Sequence, residues 1–522
     1  MKKISLVSLL VLLIATHSVA DNILYENIFM PGEFEELSVV GNEIEQLFES
    51  PSWLSKHKGK TLVNVDSFGA VGDGVSDDTQ AFVSAWNKAC STRGSVFLVP
   101  KGRHYLVKPA KFEGPCVDKL IIQINGTIVA PDEPNDWDPN SPNLWLEFSK
   151  LKRVTFQGVG VIDGSGNKWW ASSCKKNKEN PCRGAPTAVT IDSSSMVEVK
   201  DLTIKNGQQM HFVISRSDTV RIFEIQISAP NDSPNTDGIH ITGSTDVVVQ
   251  NCKIGTGDDC ISIVNASSTI KMKNIYCGPG HGISIGSLGK DNSTGIVTKV
   301  VLDTAFLKET TNGLRIKTWQ GLSAKKITNS PAGSLHNTGG SGYVRSVRFE
   351  NVRMVEVANP IIIDQFYCDS PKSCQNQLGS GGSTAIKLNL LHMRRESKFN
   401  RIWDIPHQLS YLYEWAVANL LGTSAVKISQ VVYRNITGTT TSANAIKFAC
   451  SDTVPCSNIV LSNINLESKE GAAETYCNSA MGFGYGVIPD CLLSSNKESH
   501  SDQTKDSELV KFSSTDLVHT EL

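Results

Sequence analysis

The chain has 522 residues, of which 50 are lysine or arginine and 52 are aspartate or glutamate. Its formal net charge is only −2, so no overall field favours nucleic acid or a membrane surface, and any attraction for an acidic polymer must be local. The length exceeds that of a usual domain, about 100–200 residues, although elongated repeat folds grow as one unit.

The first 20 residues have the pattern of a secretory signal. Lys2 and Lys3 precede an apolar run from Leu6 to Ala15, and the small residues at 18–20 form a cleavage site. The run is too short to cross a bilayer, and no later stretch reaches the roughly 18 apolar residues of a membrane helix. We therefore expect a secreted, extracellular protein that does not span a membrane.

Cysteine usage agrees with export. Thirteen cysteines favour disulfides over a metal cluster because the extracellular compartment is oxidising, and an odd number leaves one thiol over. Five sequons are possible glycosylation sites in surface loops: Asn125, Asn231, Asn265, Asn292 and Asn435.

Short β-branched strings recur in the middle of the chain. They are Ala188–Ile191, His211–Ile214, Gly238–Ile241, Cys260–Ile263, Gly282–Ile285, Gly313–Ile316 and Pro360–Ile363. Their starts step by 23, 27, 22, 22, 31 and 47 residues, a spacing typical of a solenoid with loops inserted in some coils. Second strings lie between them: Val247–Val249, Ile270–Met272 and Val344–Val347. The sequence predicts an all-β stack of coils without a helical period.

Alternate positions within these strings hold apolar residues. They are Ile239 and Ile241, Ile261 and Ile263, Ile283 and Ile285, and Leu314 and Ile316. Successive side chains of a strand point to opposite faces, so these positions are expected to face the core. The intervening positions should face outward: His240, Ser262, Ser284, Arg315 and Lys317.

The residues that precede four of the strings are polar: Asp237, Asp259, His281 and Asn312. Neighbouring parallel strands lie about 4.8 Å apart, so residues in one register should stack into a column. Asp258 adds a third carboxylate, and the cations Arg315 and Lys317 lie one coil further on.

This cluster suits glycoside hydrolysis. Three neighbouring carboxylates repel one another when ionised, so at least one pKa should be raised. A glycosidase needs one carboxylic acid that protonates the leaving oxygen and a second carboxylate that activates water or attacks the sugar. Two cations on one strand face could hold a sugar carboxylate. A purely structural β-helix would need none of these groups.

Four segments resemble the signature motifs of the polygalacturonase family of glycoside hydrolases, in that family's order and spacing. They are Ser233–Gly238, Gly257–Cys260, Gly280–Ser287 and Arg315–Lys317. Asp66–Gly74 and Gly160–Gly164 also resemble the family, so the likeness covers residues 61–491, and plant cell-wall members are the most similar.

The resemblance implies a single-stranded, right-handed parallel β-helix, a pectin-lyase-like solenoid. It implies hydrolysis of α-1,4-galacturonosyl linkages in pectin and polygalacturonate, with inversion, without a metal or cofactor, and in plant cell-wall remodelling. A monomer that cuts within the polymer rather than from its end is expected.

Residue roles follow from the resemblance alone. Asp258 would be the proton donor, and Asp237 with Asp259 would activate water. His281 would tune or reprotonate the acid. The residues by themselves locate the cluster but do not tell which aspartate is the acid.

Four further positions are assigned by the resemblance to substrate binding. Arg315 and Lys317 would bind substrate carboxylates. Asn235 and Tyr367 match positions that would line the cleft.

The likeness, together with proximity in sequence, implies six disulfides: Cys90–Cys116, Cys174–Cys182, Cys260–Cys277, Cys368–Cys374, Cys450–Cys456 and Cys477–Cys491. Cys252 would stay free, as a buried thiol that packs like a small hydrophobe.

Residues 378–422 depart from the family pattern. The likeness holds through Gln377 and resumes at Thr423, and family members usually run directly from one to the other. Gly379–Ser383 is linker-like, and Tyr411–Leu421 is apolar without strand alternation. We expect an atypical insertion, consistent with a retained intron, that protrudes with little packing on the coils. The alternative is a genuine surface lobe that could cover one end of the cleft.

The remaining termini complete the predicted organisation. Residues 21–60 are expected to form a pro-segment or an N-terminal cap on the β-helix of residues 61–491. Residues 492–522 are polar and charged, which predicts a disordered tail.

Three alternatives stay open. A pectate or pectin lyase on the same fold would use calcium and an arginine base, and would not need His281. A non-catalytic β-helix could bind wall polysaccharide only. Rhamnogalacturonan hydrolysis is disfavoured because the cationic pair suits galacturonate on both sides of the cut.

Overall fold

The computed structural model describes residues 59–137, 144–319, 340–367 and 426–491, apart from 453, 470 and 472. Within these residues, nearly all regular structure belongs to two parallel β-sheets of 19 and 11 strands. Each coil has the same order of strands along the chain. One strand of the smaller sheet is followed by strands of the larger sheet, and the next coil repeats this order. No helix among the described residues is long and apolar enough to span a membrane.

The smaller sheet stacks its strands in chain order. They are β5 (Ala110–Glu113), β8 (Leu144–Ser149), β11 (Thr187–Asp192), β14 (Phe212–Ser215), β17 (Ile239–Thr242), β19 (Ile261–Ile263), β21 (Ile283–Leu288), β23 (Asn312–Trp319), β25 (Asn359–Tyr367), β27 (Asn444–Ala449) and β29 (Glu474–Asn478). The seven strings identified in the sequence all fall in this sheet, and the predicted right-handed parallel β-helix is confirmed.

The larger sheet consists of two ladders of parallel strands. The first contains β1 (Thr61–Asn64), β3 (Ser95–Val99), β6 (Ile121–Ile124), β9 (Lys152–Gln157), β12 (Ser195–Lys200), β15 (Asp218–Phe223), β18 (Thr245–Gly255), β20 (Ser267–Cys277), β22 (Thr294–Lys308), β24 (Ser341–Val357), β26 (Lys427–Thr440), β28 (Cys456–Ser468) and β30 (Ala480–Ile488). The second contains β2 (Asp73–Asp77), β4 (His104–Leu106), β7 (Thr127–Val129), β10 (Val161–Asp163), β13 (Thr203–Lys205) and β16 (Gln226–Ser228).

From β18 onward, one long strand bends through both ladders. The bend in β18 lies at Asn251 (φ 54°) and that in β20 at Asn274 (φ 55°), and asparagine tolerates this left-handed conformation better than most residues. The Asn274 side-chain amide donates to the Asn251 side-chain oxygen at 2.9 Å, so the corner is bonded from coil to coil.

A column of apolar side chains forms the core behind the smaller sheet. Ile239, Ile261, Ile283, Leu314 and Ile361 are aligned in register and fully buried. Each such side chain contributes about 1.5–3 kcal/mol by its removal from water. The register therefore confirms the predicted alternation and fixes which side chains of these strands point outward.

The first coils carry an α-helix that the repeat pattern did not predict. Helix α1 (Thr79–Cys90) packs on β1, β3 and β5 and buries one face, with Trp86 5.3 Å from the ring of Phe112. Apolar residues at 81, 82, 85, 86 and 89 have helical spacing. The expectation of no helical period was wrong for this region. A short helix, α2 (Asn167–Ala171), precedes β11.

Five of the six expected disulfides are present: Cys90–Cys116, Cys174–Cys182, Cys260–Cys277, Cys450–Cys456 and Cys477–Cys491. The pair Cys368–Cys374 lies outside the described residues. Cys252 is buried and unpaired, as expected.

The predicted insertion 378–422 also lies outside the described residues. The pairing of the strands on either side of it shows whether the stack needs a strand from this segment. Strand β24 pairs directly with β26, and β25 pairs directly with β27, with Ile361 opposite Ile446. No coil separates these neighbours, so the stack continues without a strand from the intervening residues.

Deleting residues 378–422 should therefore leave folding intact. Because the flanking coils already pair with each other, we expect the shortened protein to unfold cooperatively at an unchanged or higher temperature and to keep or increase its activity. Thermal unfolding of the purified protein measures this. As a control, deletion of Asn359–Tyr367 removes a stacked strand and should prevent folding. Loss of folding or activity in the 378–422 variant would show that the segment belongs to the working fold.

Candidate active site

One groove of about 690 Å³ runs over the outer face of the smaller sheet. All eight residues proposed from the sequence line it: Asn235, Asp237, Asp258, Asp259, His281, Arg315, Lys317 and Tyr367. Its floor is formed by outward positions of β17, β19, β21 and β23 and by the loops that precede these strands. The column inferred from the strand register therefore brings together residues that are up to 132 positions apart in the chain (235 to 367).

The loop before β17 holds Asp237 through buried hydroxyl groups. Thr236 Oγ1 accepts from the Gly257 backbone amide at 3.0 Å and lies 2.7 Å from Ser233 Oγ, which ties this loop to the next coil. A Cβ at Gly257 would lie 2.0 Å from the Ser233 carbonyl oxygen, so only glycine fits there. The Ser-Pro-Asn-Thr-Asp and Gly-Asp-Asp segments are thus one interlocked unit.

Asp259 is the most deeply buried of the three carboxylates, with its side chain 2% exposed. Ser284 Oγ and Arg315 Nη2 donate to its Oδ1, each at 2.7 Å, and Lys317 Nζ donates to its Oδ2 at 3.0 Å. Three donors from the next two coils therefore compensate a charge that burial alone would make very costly.

Asp258 forms a pair with His281, whose Nδ1 lies 3.1 Å from Asp258 Oδ1. The backbone amide of Asp259 donates to the same oxygen at 2.8 Å. Burial pushes the pKa of Asp258 upward, but the His281 hydrogen bond and the charges of His281 and Lys317 outweigh it, so this pKa lies below its usual range. The same hydrogen bond raises the pKa of His281 against the opposing effect of burial.

Asp237 has a different environment. Ser262 Oγ donates to its Oδ2 at 2.6 Å, and His240 Nδ1 lies 2.7 Å from Ser262 Oγ and 3.8 Å from Asp237 Oδ2. Burial raises the pKa of Asp237, and the nearby charges of Asp258 and Asp259 add to it, although His240 acts in the opposite direction. The pKa of one of the three carboxyl groups is thus raised, as expected. That group is Asp237, however, and not Asp258, the expected proton donor.

The cations Arg315 and Lys317 are largely buried and engaged with Asp259. Arg315 Nε also donates to Ser284 Oγ at 3.0 Å, and Lys317 Nζ lies 5.5 Å from the centre of the Tyr367 ring. These side chains stabilise the buried carboxylate in addition to any role in holding substrate.

Two histidines were not given a role by the sequence. His240 was identified only as an outward-facing position. Its contact with Ser262 requires the side chain to extend from β17 to β19 in the next coil. His211 is fully buried, and its Nδ1 donates to the carbonyl oxygens of Thr236 and Asp237, each at 3.2 Å. Burial lowers the pKa of His211 to about 4, so the ring stays neutral and supports the Asp237 loop.

A metal ion fits this site poorly. Asp258, Asp259 and His281 offer ligand atoms within 4.8 Å of one another. However, both oxygens of Asp259 already accept hydrogen bonds from Arg315 or Lys317, and a cation there would face two fixed positive charges. The cluster is better suited to moving protons.

Comparison with known proteins agrees with the geometry. The model for glycosyl hydrolases family 28 matches residues 90–390 and 408–483, and the unmatched residues 391–407 lie inside the predicted insertion. The chain is 39% identical over 496 residues to a protein named probable polygalacturonase from Arabidopsis thaliana, covering 94% of each chain. It is 42% identical over 415 residues to a polygalacturonase of Persea americana, covering 80% of this chain and 76% of the other.

Solved structures share the fold. The endo-xylogalacturonan hydrolase from Aspergillus tubingensis superposes with a TM-score of 0.62 at 19% identity, covering 84% of this chain and 100% of the other. A polygalacturonase from Erwinia carotovora gives a TM-score of 0.54 at 18% identity, covering 84% and 98%. With the family model matched over most of the chain and relatives near 40% identity, this chain belongs to glycosyl hydrolase family 28.

Proposed function

We propose that this protein is a secreted polygalacturonase that hydrolyses α-1,4-galacturonosyl linkages of pectin in the plant cell wall, with inversion at the anomeric carbon. The observation that carries the proposal is a single groove with three carboxylates in three different environments. The plant relatives named polygalacturonase support the substrate class. The groove's own cations, Arg315 and Lys317, supply local positive charge despite the net charge of −2.

Asp258 is the proposed proton donor, and it shares one proton with His281. In the open groove the charged pair is favoured, as the lowered pKa of Asp258 and the raised pKa of His281 indicate. A sugar chain that displaces water makes an ion pair costly and favours the neutral pair, with the proton on Asp258. Asp258 then gives this proton to the glycosidic oxygen, and the 38% exposed His281 side chain can regain one from solvent.

Asp237 and Asp259 are the proposed pair that activates water. Asp259 is paired with two cations, whereas the raised pKa of Asp237 makes Asp237 the stronger base once it is ionised. Water loses its proton to this pair and its oxygen bonds to the anomeric carbon from the face opposite the leaving group. Inverting enzymes separate acid and base by about 6.5–9.5 Å. We expect that spacing between Asp258 and Asp237, since Asp258 and Asp259 approach within 4.8 Å.

Cleavage within the polymer, rather than from its end, is the proposed mode. Residues that line the groove lie on both sides of Asp258 along the stack, from Lys175 and Asn235 in the earlier coils to Lys317 and Tyr367 in the later ones. A polymer can therefore contact the groove on both sides of the bond that is cut.

Asp258→Asn tests the assignment of the acid. The amide side chain would keep the shape and the acceptor for the Asp259 amide but could not donate the proton, so turnover on polygalacturonate should fall by about 10³-fold or more while polymer binding survives. Release of reducing ends measures turnover, and Asp218→Asn, at an exposed aspartate outside the groove, is the matched control. Near-normal turnover, or unsaturated products from the unaltered protein, would refute the scheme.

The shared proton predicts a pH effect of His281→Ala. In the unaltered protein the pair keeps its proton until the pH exceeds the raised pKa of His281, whereas without the imidazole Asp258 alone must keep it. The alkaline limb of the pH–rate profile should therefore move to lower pH, with activity near neutral pH reduced by about 10²-fold. His104→Ala, at an exposed histidine, is the control. An unmoved alkaline limb would contradict proton sharing.

Early products decide the mode of action. Cutting within the polymer should reduce the viscosity of polygalacturonate sharply when only a small fraction of linkages is broken, and should release a mixture of oligomers. Viscosity recorded against reducing ends measures this. Release of a single short product from the outset, with little change in viscosity, would indicate an enzyme that works from the chain end.

A further inference from the structure

His240 lines the groove beside the carboxylates, and the proposed reaction gives it no task. It occupies an outward position of β17, in register with Val213 of β14 on one side and with Ser262 of β19 on the other. Neither of these neighbours carries a charge, and the His240 side chain is only 15% exposed. The bonding of the imidazole is therefore set by the few polar atoms within its reach.

A chain of two hydrogen bonds joins His240 to Asp237. Ser262 Oγ donates to Asp237 Oδ2 at 2.6 Å, and His240 Nδ1 lies 2.7 Å from the same hydroxyl oxygen. The direct distance from His240 Nδ1 to Asp237 Oδ2 is 3.8 Å, which is too long for a hydrogen bond. The imidazole therefore acts on the carboxylate through Ser262, a residue that is almost completely buried.

The direction of this chain follows from the number of hydrogens. An ionised carboxylate can only accept hydrogen bonds, so the single hydrogen of the Ser262 hydroxyl is used on Asp237. The bond between Ser262 Oγ and His240 Nδ1 must then take its hydrogen from the imidazole. Nδ1 carries a hydrogen in the imidazolium cation and in one of the two neutral tautomers, so the chain does not require the ring to be charged.

The charges around Asp237 oppose its ionisation, and His240 favours it. Burial raises the pKa of Asp237 most, and the negative charges of Asp258 and Asp259 raise it further, whereas the largest opposing influence comes from His240. His211, behind the Asp237 loop, is neutral because burial lowers its pKa to about 4. The other titratable side chains that line the groove are Lys175, His281, Lys290, Arg315, Lys317 and Tyr367.

We propose that His240 is a positioning residue that acts through the Ser262 hydroxyl to hold Asp237 in its ionised, water-activating form, and that it thereby sets the acid limb of the pH–rate profile. The inference rests on the proposed function and adds a residue to it. The proton of the attacking water passes to ionised Asp237, and this is the form that the hydrogen-bond chain stabilises. His240 and His281 then govern opposite limbs of the profile, His240 through the base and His281 through the acid.

His240→Leu tests this role because leucine fills the position without a donor. Without the Nδ1 hydrogen the Ser262 hydroxyl is held less firmly, and the ionised form of Asp237 loses stabilisation, so its pKa should rise. The base must be ionised to act. The acid limb of kcat/KM on polygalacturonate should therefore move to higher pH by about 0.5–1 pH unit, the equivalent of one net hydrogen bond. Above that limb, kcat/KM should stay within about 3-fold of the unaltered protein, and the alkaline limb should not move.

His240→Asn is the rescue variant. Its amide places an N–H donor near the position of the imidazole Nδ1 but does not titrate, so the acid limb should return towards that of the unaltered protein. Thr242→Val is the matched control. Thr242 lies two positions further along β17, on the same face of the sheet and outside the groove, so both limbs of this variant should remain where they are in the unaltered protein.

Three results overturn the inference and leave the proposed function standing, provided that the unaltered protein hydrolyses polygalacturonate. An unmoved acid limb in His240→Leu would show that the imidazole does not act on the base. A fall of kcat/KM by one factor at every pH would indicate a contact with substrate instead. Equal limbs in His240→Asn and His240→Leu would show that the Nδ1 hydrogen has no role. If the unaltered protein does not hydrolyse polygalacturonate at any pH, the proposed function and the inference fail together.

Discussion

The burial of the Asp259 carboxylate is the constraint on which the rest of the site depends. A charge this deep is tolerated only because Ser284, Arg315 and Lys317 reach it from the next two coils. Removing one partner of a buried ion pair typically costs about 3–5 kcal/mol. These three contacts with Asp259 therefore fix the relative positions of three coils and, with them, the floor of the groove. The same arrangement also places two cations in the groove of a nearly neutral protein, where they pair with the protein's own buried acid.

Three carboxylates in one groove differ because their neighbours differ. Asp259 contacts two cations, Asp258 contacts an imidazole, and Asp237 is hydrogen-bonded through a serine hydroxyl with a second imidazole behind it. These neighbours raise the pKa of Asp237 and lower the pKa of Asp258, although the two groups are chemically identical. Division of labour between acid and base therefore needs no unusual residue type, only unequal access to water and to positive charge.

Much of this could be predicted from the sequence because strand periodicity is local. The alignment of Ile239, Ile261 and Ile283 can be inferred from the two-residue alternation of strands and the constant spacing of the strings. The column of polar residues beside it can be inferred from the same register. Helix α1 was missed because it lies outside the repeat, where a different period applies. Two sets of contacts could not be predicted, because they depend on how far side chains extend from one coil to the next. They are the contact of His240 with Ser262 and the hydrogen bonds that Asp259 accepts. Which aspartate has the raised pKa depends on the balance between burial and the charges nearby, a property of packed coils that residue types do not reveal.

The position of the site in the stack has a consequence for how the protein resists unfolding. Strand β19, which follows Asp258 and Asp259, is the sixth of the eleven described strands of the smaller sheet from either end. In a solenoid each coil is stabilised chiefly by its two neighbours, so opening begins at the terminal coils and must progress inward. Amide hydrogens around β19 should thus exchange only in the rarest and largest openings. The protein can therefore lose order at its ends while the groove stays assembled.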